Sequence, residues 1–94
     1  MHPLIEKNRQ DILTLARDNG VTKVRVFGSM ARGDVSLSSD VDFLVEIEEG
    51  QSGLALGGFL MDVSELLHRK VDVVTEKSLH PKIQSQVLKE AIAL

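Results

Sequence analysis

The 94-residue sequence contains no cysteine, no tryptophan and no tyrosine. Without thiols it can build neither a disulfide framework nor a thiolate zinc site. Three phenylalanines are the whole aromatic complement, which leaves little to stack on nucleic-acid bases. A surplus of basic charge is missing as well: 11 Lys and Arg stand against 14 Asp and Glu, a formal charge of −3. Gripping phosphate backbones needs Lys and Arg in excess on one surface, so direct nucleic-acid binding is not expected. Nor is there an apolar run long enough for a signal peptide or a bilayer span, and the expectation is a soluble, cytoplasmic protein with no membrane partner.

What is present is a 43% share of hydrophobic residues at small net charge, too apolar for a disordered chain. A chain of this length buries about 60–65% of the surface its unfolded form exposes, enough for one thin core. Residues 1–94 therefore read as a single domain, with no internal repeat and no linker-like shift in composition.

The apolar period switches repeatedly between helix and strand values. Leu4, Ile5, Ile12, Leu13, Leu15 and Ala16 share one helical stripe, which Asn19-Gly20 stops. From Thr22 to Phe27 the pattern alternates, and Val41 to Ile47 is a second strand rich in β-branched and aromatic residues. A helix over roughly Gly57 to Arg69, a short strand over Val71 to Thr75 and a last helix opened by Pro81 complete the pattern. In that last helix Ile83, Val87, Leu88, Ala91 and Ile92 are expected to share a face. The order is α-β-α-β-α-β-α, an α/β (α+β) domain with a very short second helix and a small mixed sheet carrying its helices on one face.

Residues two apart on a strand project from the same side, and this locates the chemistry. Val41, Phe43, Val45 and Ile47 form an apolar face, so Asp40 and Asp42 point the other way, as Asp72 does between Val71 and Val73. If the two strands are neighbours, three carboxylates converge and their repulsion calls for a cation. Oxygen-only ligands suit Mg²⁺ or Mn²⁺, and a pair of ions would serve an in-line phosphoryl displacement. A bare Asp-x-Asp also fits solvated acids on an exposed strand face; the third acid shifts the balance.

The second feature is Phe27-Gly28-Ser29-Met30-Ala31-Arg32-Gly33, a strand ending in glycine before a turn or short helix. Small residues and exposed N–H groups there suit a phosphate, while an ordinary turn with Ser29 as N-cap fits the same residues. Neither a Walker loop nor Gly-x-Gly-x-x-Gly is present.

Gly28-Ser29, ten intervening residues and Asp40-Val41-Asp42 resemble the signature of the DNA polymerase β-like nucleotidyltransferase superfamily. Ala31-Arg32-Gly33 and the Ser38-Ser39 pair before Asp40 are similar to the minimal nucleotidyltransferases of prokaryotes, with Asp72 at the position of the third acid. The resemblance implies that Gly28 and Ser29, with Ser39, hold the nucleotide, and that Arg32 is either a phosphate partner or an exposed cation. It implies that Asp40 and Asp42 bind two Mg²⁺ ions, with Mn²⁺ as the alternative, and that Asp72 completes one site and assists deprotonation of the acceptor hydroxyl. ATP is then the substrate and AMP the transferred group.

Larger members append a second domain that shapes the acceptor pocket, for which this sequence has no residues, so the resemblance implies a partner protein as acceptor. In that family the partner is a HEPN-domain RNase toxin and the nucleotidyltransferase is its antitoxin, adenylylating a toxin tyrosine. A steric antitoxin with little catalysis and a small-molecule nucleotidyltransferase are the alternatives. The wide apolar arc around Phe59-Leu60-Met61 is expected to be mainly core, with a residual strip for a partner or a second copy. His2, His68 and His80 lack ligand spacing and are assigned to no metal.

Overall fold

The computed structural model describes residues 1–33, 40–51 and 53–94. Helix α1 (Pro3–Asp18) leads into β1 (Val21–Phe27), the single-turn α2 (Ser29–Arg32) and β2 (Val41–Ile47). Helix α3 (Gly53–Leu67), β3 (Val71–Val74), a 3₁₀ turn (Glu76–Ser78), α4 (Pro81–Glu90) and β4 (Ile92–Ala93) follow. The sheet order is β3-β2-β1-β4, with β2 and β3 parallel and the other two pairings antiparallel. The expected mixed sheet and its order of elements are therefore present.

Both helices that begin with proline start the same way. His2 and His80 each precede a proline at the first helical position, and each Nδ1 accepts the N–H two residues on, at 3.0 Å from Leu4 and 3.1 Å from Lys82. The imidazole takes the place that Ser or Asp usually fills, capping an otherwise orphan donor. His2 also donates its own N–H to the Met30 carbonyl at 2.8 Å, which ties the start of α1 to α2.

The main core lies on the sheet face carrying Val24, Val26, Val41, Phe43, Val45 and Val71. Against it pack Ile5, Ile12 and Ala16 of α1 and Phe59, Val63 and Leu67 of α3, with the Phe43 and Phe59 rings 5.9 Å apart and tilted by 56°. Such an inclined pair adds about 0.5–1.5 kcal/mol beyond its area burial. The two helices are stitched at one end by Asn19, whose Nδ2 donates to the Leu15 carbonyl at 2.8 Å and to Asp62 at 2.9 Å. The apolar arc of α3 divides as expected: Ala55, Phe59, Val63 and Leu67 are buried, while Leu54 and Met61 are exposed.

Two expectations change. Helices α1 and α3 share one face, but α4 lies on the other, where Leu44, Leu79 and Val87 form a second buried cluster with Phe27, Val74, Leu88 and Ala91 against it. Leu44 is apolar on the otherwise polar side of β2, and burying a leucine is worth about 1.5–3 kcal/mol, so that side acquires a cover. Helix α4 also stops at Glu90, and Ile92 leaves it to pair with Val26 in β4 instead of extending its apolar face. Among the described residues no helix is long and apolar enough to cross a membrane.

Candidate active site

The parallel register sets Val41 beside Val71 and Asp42 beside Asp72. Matched positions on adjacent parallel strands point the same way, roughly 4.8 Å apart, so the two carboxylates stand together on the face opposite the main core. Asp40 precedes β2 at the same end, with its Oδ2 3.8 Å from Nζ of Lys70. Lys70 is largely exposed and Asp40 partly so, and the ion pair contributes little to stability. The three acids expected from the sequence are thus brought to one surface.

Burial holds the Asp42 carboxyl above the ordinary carboxylate range, and repulsion from Asp72, Asp40 and Glu90 adds to it; Lys70 acts in the opposite sense. The shift comes first from burial and then from like charges gathered around Asp42, not from acids paired with cations. Among the described residues no three acidic or histidine side chains close on a single point. A closed cage is not what Mg²⁺ asks for, since it keeps waters and substrate phosphates and takes only one or two protein carboxylates. The all-oxygen donor set and the accumulated negative charge fit such an ion.

Gly28 ends β1 at φ +70°, ψ −151°, a backbone conformation that belongs to glycine. A Cβ there would lie 2.6 Å from Asp42 Oδ2, so glycine is needed on two counts, for its backbone angles and for the space the carboxylate takes. Its carbonyl starts α2, accepting from Ala31 at 3.1 Å and Arg32 at 3.2 Å. Gly28 is therefore the N-cap and Ser29 the first helical residue, which corrects the reading of Ser29 as a capping side chain. Gly33 closes the turn in the left-handed conformation. Ser39, with Ser38 beside it, lies outside the described residues.

Glu90, the last residue of α4, is a site residue that the sequence pattern did not reveal. Its Oε1 accepts from the Gly28 N–H at 2.6 Å and from Nη1 of Arg32 at 2.9 Å. A fourth carboxylate thus joins Asp40, Asp42 and Asp72, and Arg32 is drawn into the site instead of standing apart from it. The groove lined by Thr22, Val45, Glu46, Ile47, Thr75 and Lys77 lies at the other end of β2 and contains none of these residues.

A family model described as a nucleotidyltransferase domain matches residues 6–94. A candidate protein adenylyltransferase of Methanocaldococcus jannaschii is 36% identical over 88 residues, which cover 94% of this chain and 95% of that one. The protein adenylyltransferase MntA of Thermococcus cleftensis is 40% identical over 73 residues, covering 78% of this chain and 74% of MntA. Among solved structures, that of a candidate minimal nucleotidyltransferase superposes with a TM-score of 0.85 at 41% identity, covering 100% of this chain and 97% of the other. A toxin–antitoxin crystal structure with AMP-PNP superposes with a TM-score of 0.76 at 25% identity, over 92% of this chain and 71% of that one.

Proposed function

The chain belongs to the nucleotidyltransferase domain family, and we propose that it moves AMP from ATP to a tyrosine hydroxyl of a HEPN-domain RNase toxin, acting as its cytoplasmic antitoxin. The observation that carries the reading is the side-by-side register of Asp42 and Asp72 next to the glycine turn at Gly28. Relatives named as protein adenylyltransferases and a superposable toxin–antitoxin structure with AMP-PNP support the substrate and the kind of partner.

Each residue has a role in this scheme. The Gly28 amide, Ser29 and Arg32 take the triphosphate, with Ser39 beside them, and the glycine lets phosphate approach the backbone closely. Asp40, Asp42 and Asp72 would hold Mg²⁺, two ions in all, which when bound neutralises charge on the attacking and leaving oxygens. The acceptor oxygen forms a bond to the α-phosphorus as the bond from that phosphorus to the bridging oxygen breaks, and pyrophosphate leaves with the bridging electrons. Asp72, exposed at the sheet surface, would receive the hydroxyl proton in this scheme. Positioning and electrostatics supply most of the acceleration in such transfers.

The test is intact-mass spectrometry of the HEPN toxin after incubation with this protein, ATP and Mg²⁺. A gain of one or more AMP units that disappears without metal and in Asp40→Asn/Asp42→Asn is the expected result. A stable complex with no mass gain would replace enzymatic transfer by steric blocking for that toxin.

A further inference from the structure

The amide and the guanidinium assigned to the phosphates are already in contact with an anion that belongs to the chain. Glu90 Oε1 lies 2.6 Å from the Gly28 nitrogen and 2.9 Å from Arg32 Nη1, and its side chain is 19% exposed against 52% for Arg32. A single N–H cannot serve two anionic oxygens at full strength. Bonds from such donors to a carboxylate are short and about twice as strong as neutral ones.

We propose that Glu90 is an internal anion that occupies the phosphate position of the nucleotide site and sets ATP affinity by having to leave before triphosphate enters. The inference rests on the reading of Gly28 and Arg32 as phosphate contacts. Three features of the fold agree with a displaceable group. Glu90 is the last residue of α4, so its movement leaves the helix intact, and Ala91 turns out of the helix at φ −64°, ψ 135°. The strand that follows is two residues long, with Ile92 and Ala93 both exposed and paired to Val26 and Arg25, and Leu94 after it donates its N–H to the Val24 carbonyl at 3.0 Å. Glu90 also repels Asp42, so its departure relieves the carboxylate cluster at the moment the nucleotide's own charge arrives.

Competition of this kind multiplies the apparent affinity by the fraction of molecules in which the cradle is open. If Glu90 is in place ten times as often as not, removing it tightens nucleotide binding about tenfold. The experiment titrates wild type, Glu90→Gln and Glu90→Ala with AMP-PNP and Mg²⁺ by calorimetry, and follows ¹H–¹⁵N spectra of the same samples. Expected are tighter binding in both variants, by about tenfold for alanine and less for glutamine, which still offers a neutral acceptor. In the wild type the Ile92, Ala93 and Leu94 amides should shift on nucleotide addition together with Gly28.

Equal or weaker binding by folded variants, with wild type binding normally, overturns the proposal and leaves the nucleotide site standing with Glu90 as a positioning residue. Wild-type amides at 92–94 that do not respond to bound nucleotide overturn it without recourse to any variant. Failure of all three proteins to bind AMP-PNP overturns the proposal together with the reading of the cradle.

Discussion

Gly28→Ala tests the turn on which the site is built. The residue sits at φ +70°, ψ −151°, and an L side chain there costs about 1–3 kcal/mol. The added methyl would also lie 2.6 Å from Asp42 Oδ2, roughly 1 Å inside ordinary contact. Asp42 cannot swing freely, because Asp72 stands beside it in register and repels it. Together the two terms come to about 2–4 kcal/mol, short of the roughly 5–14 kcal/mol expected for a domain of this size, so the variant still folds. At about 4–8 °C per kcal/mol, the melting temperature should fall by roughly 8–32 °C. Thermal denaturation followed by circular dichroism reads the first effect, and AMP-PNP calorimetry reads the second, a loss of nucleotide binding as Gly28 and Asp42 move apart. A variant that melts within about 3 °C of wild type and binds nucleotide equally well would refute both the strain and the close approach.

Three further outcomes follow from other parts of the structure. Because Asp42 holds its proton more tightly folded than unfolded, the stability it contributes is full below the unfolded carboxylate range and is lost as pH rises through the raised folded value. Asp42→Asn should therefore melt higher than wild type at neutral pH in EDTA, with the gap closing as the solution is acidified; a gap that grows on acidification would reverse the assigned sign. His68 adopts φ +53° just beyond α3, so His68→Gly should stabilise the fold by about 0.5–1 kcal/mol in urea denaturation, and a loss would contradict the left-handed cap. At Gly58 a Cβ would collide with the Asn19 side chain that bridges α1 to Asp62, so Gly58→Ala should destabilise by about 1–3 kcal/mol despite alanine's better helix propensity; a rise in melting temperature would show that Asn19 gives way freely.

The sequence made the Asp42 and Asp72 pair legible because each acid is flanked by apolar neighbours one residue away, and the strand period then has only one orientation that buries Val41, Phe43, Val71 and Val73. Glu90 was not legible for the converse reason. It follows Lys89 on a polar part of a helix, and its meeting with Gly28 spans 62 residues and depends on where α4 crosses the sheet. One signal was available: Leu44 breaks the alternation of β2 and requires a cover on the acidic side, which Val87 of α4 supplies together with Leu79 just ahead of that helix. Ile92 was read into the helix because at that spacing a residue of a two-residue strand looks the same as one more helical position. The two His-Pro pairs show the same limit, since a histidine acting as a helix cap carries no spacing signature and is recognised only from its Nδ1 contact.

The second core cluster and the acid cluster occupy the same side of β2, with Leu44 two residues from Asp42, and this adjacency shapes the energetics of the site. Covering Leu44 brings α4 across the sheet, and the same helix that contributes burial ends by adding a carboxylate to three others. The chain offsets part of that charge internally, through Lys70 at 3.8 Å from Asp40 and Arg32 at 2.9 Å from Glu90. Both cations are more than half exposed, so neither pairing neutralises the cluster as fully as a bound ion would. Burial raises Asp42, and α4 covers the same side of β2 through Val87 against Leu44, so we expect the helix to influence both. A substitution that loosens α4, such as Val87→Ala, should therefore lower stability while also easing Asp42 toward the ordinary carboxylate range. A carboxylate titration of that variant by NMR reads the second effect directly, and an Asp42 that still titrates as in wild type would separate the cover from the charge.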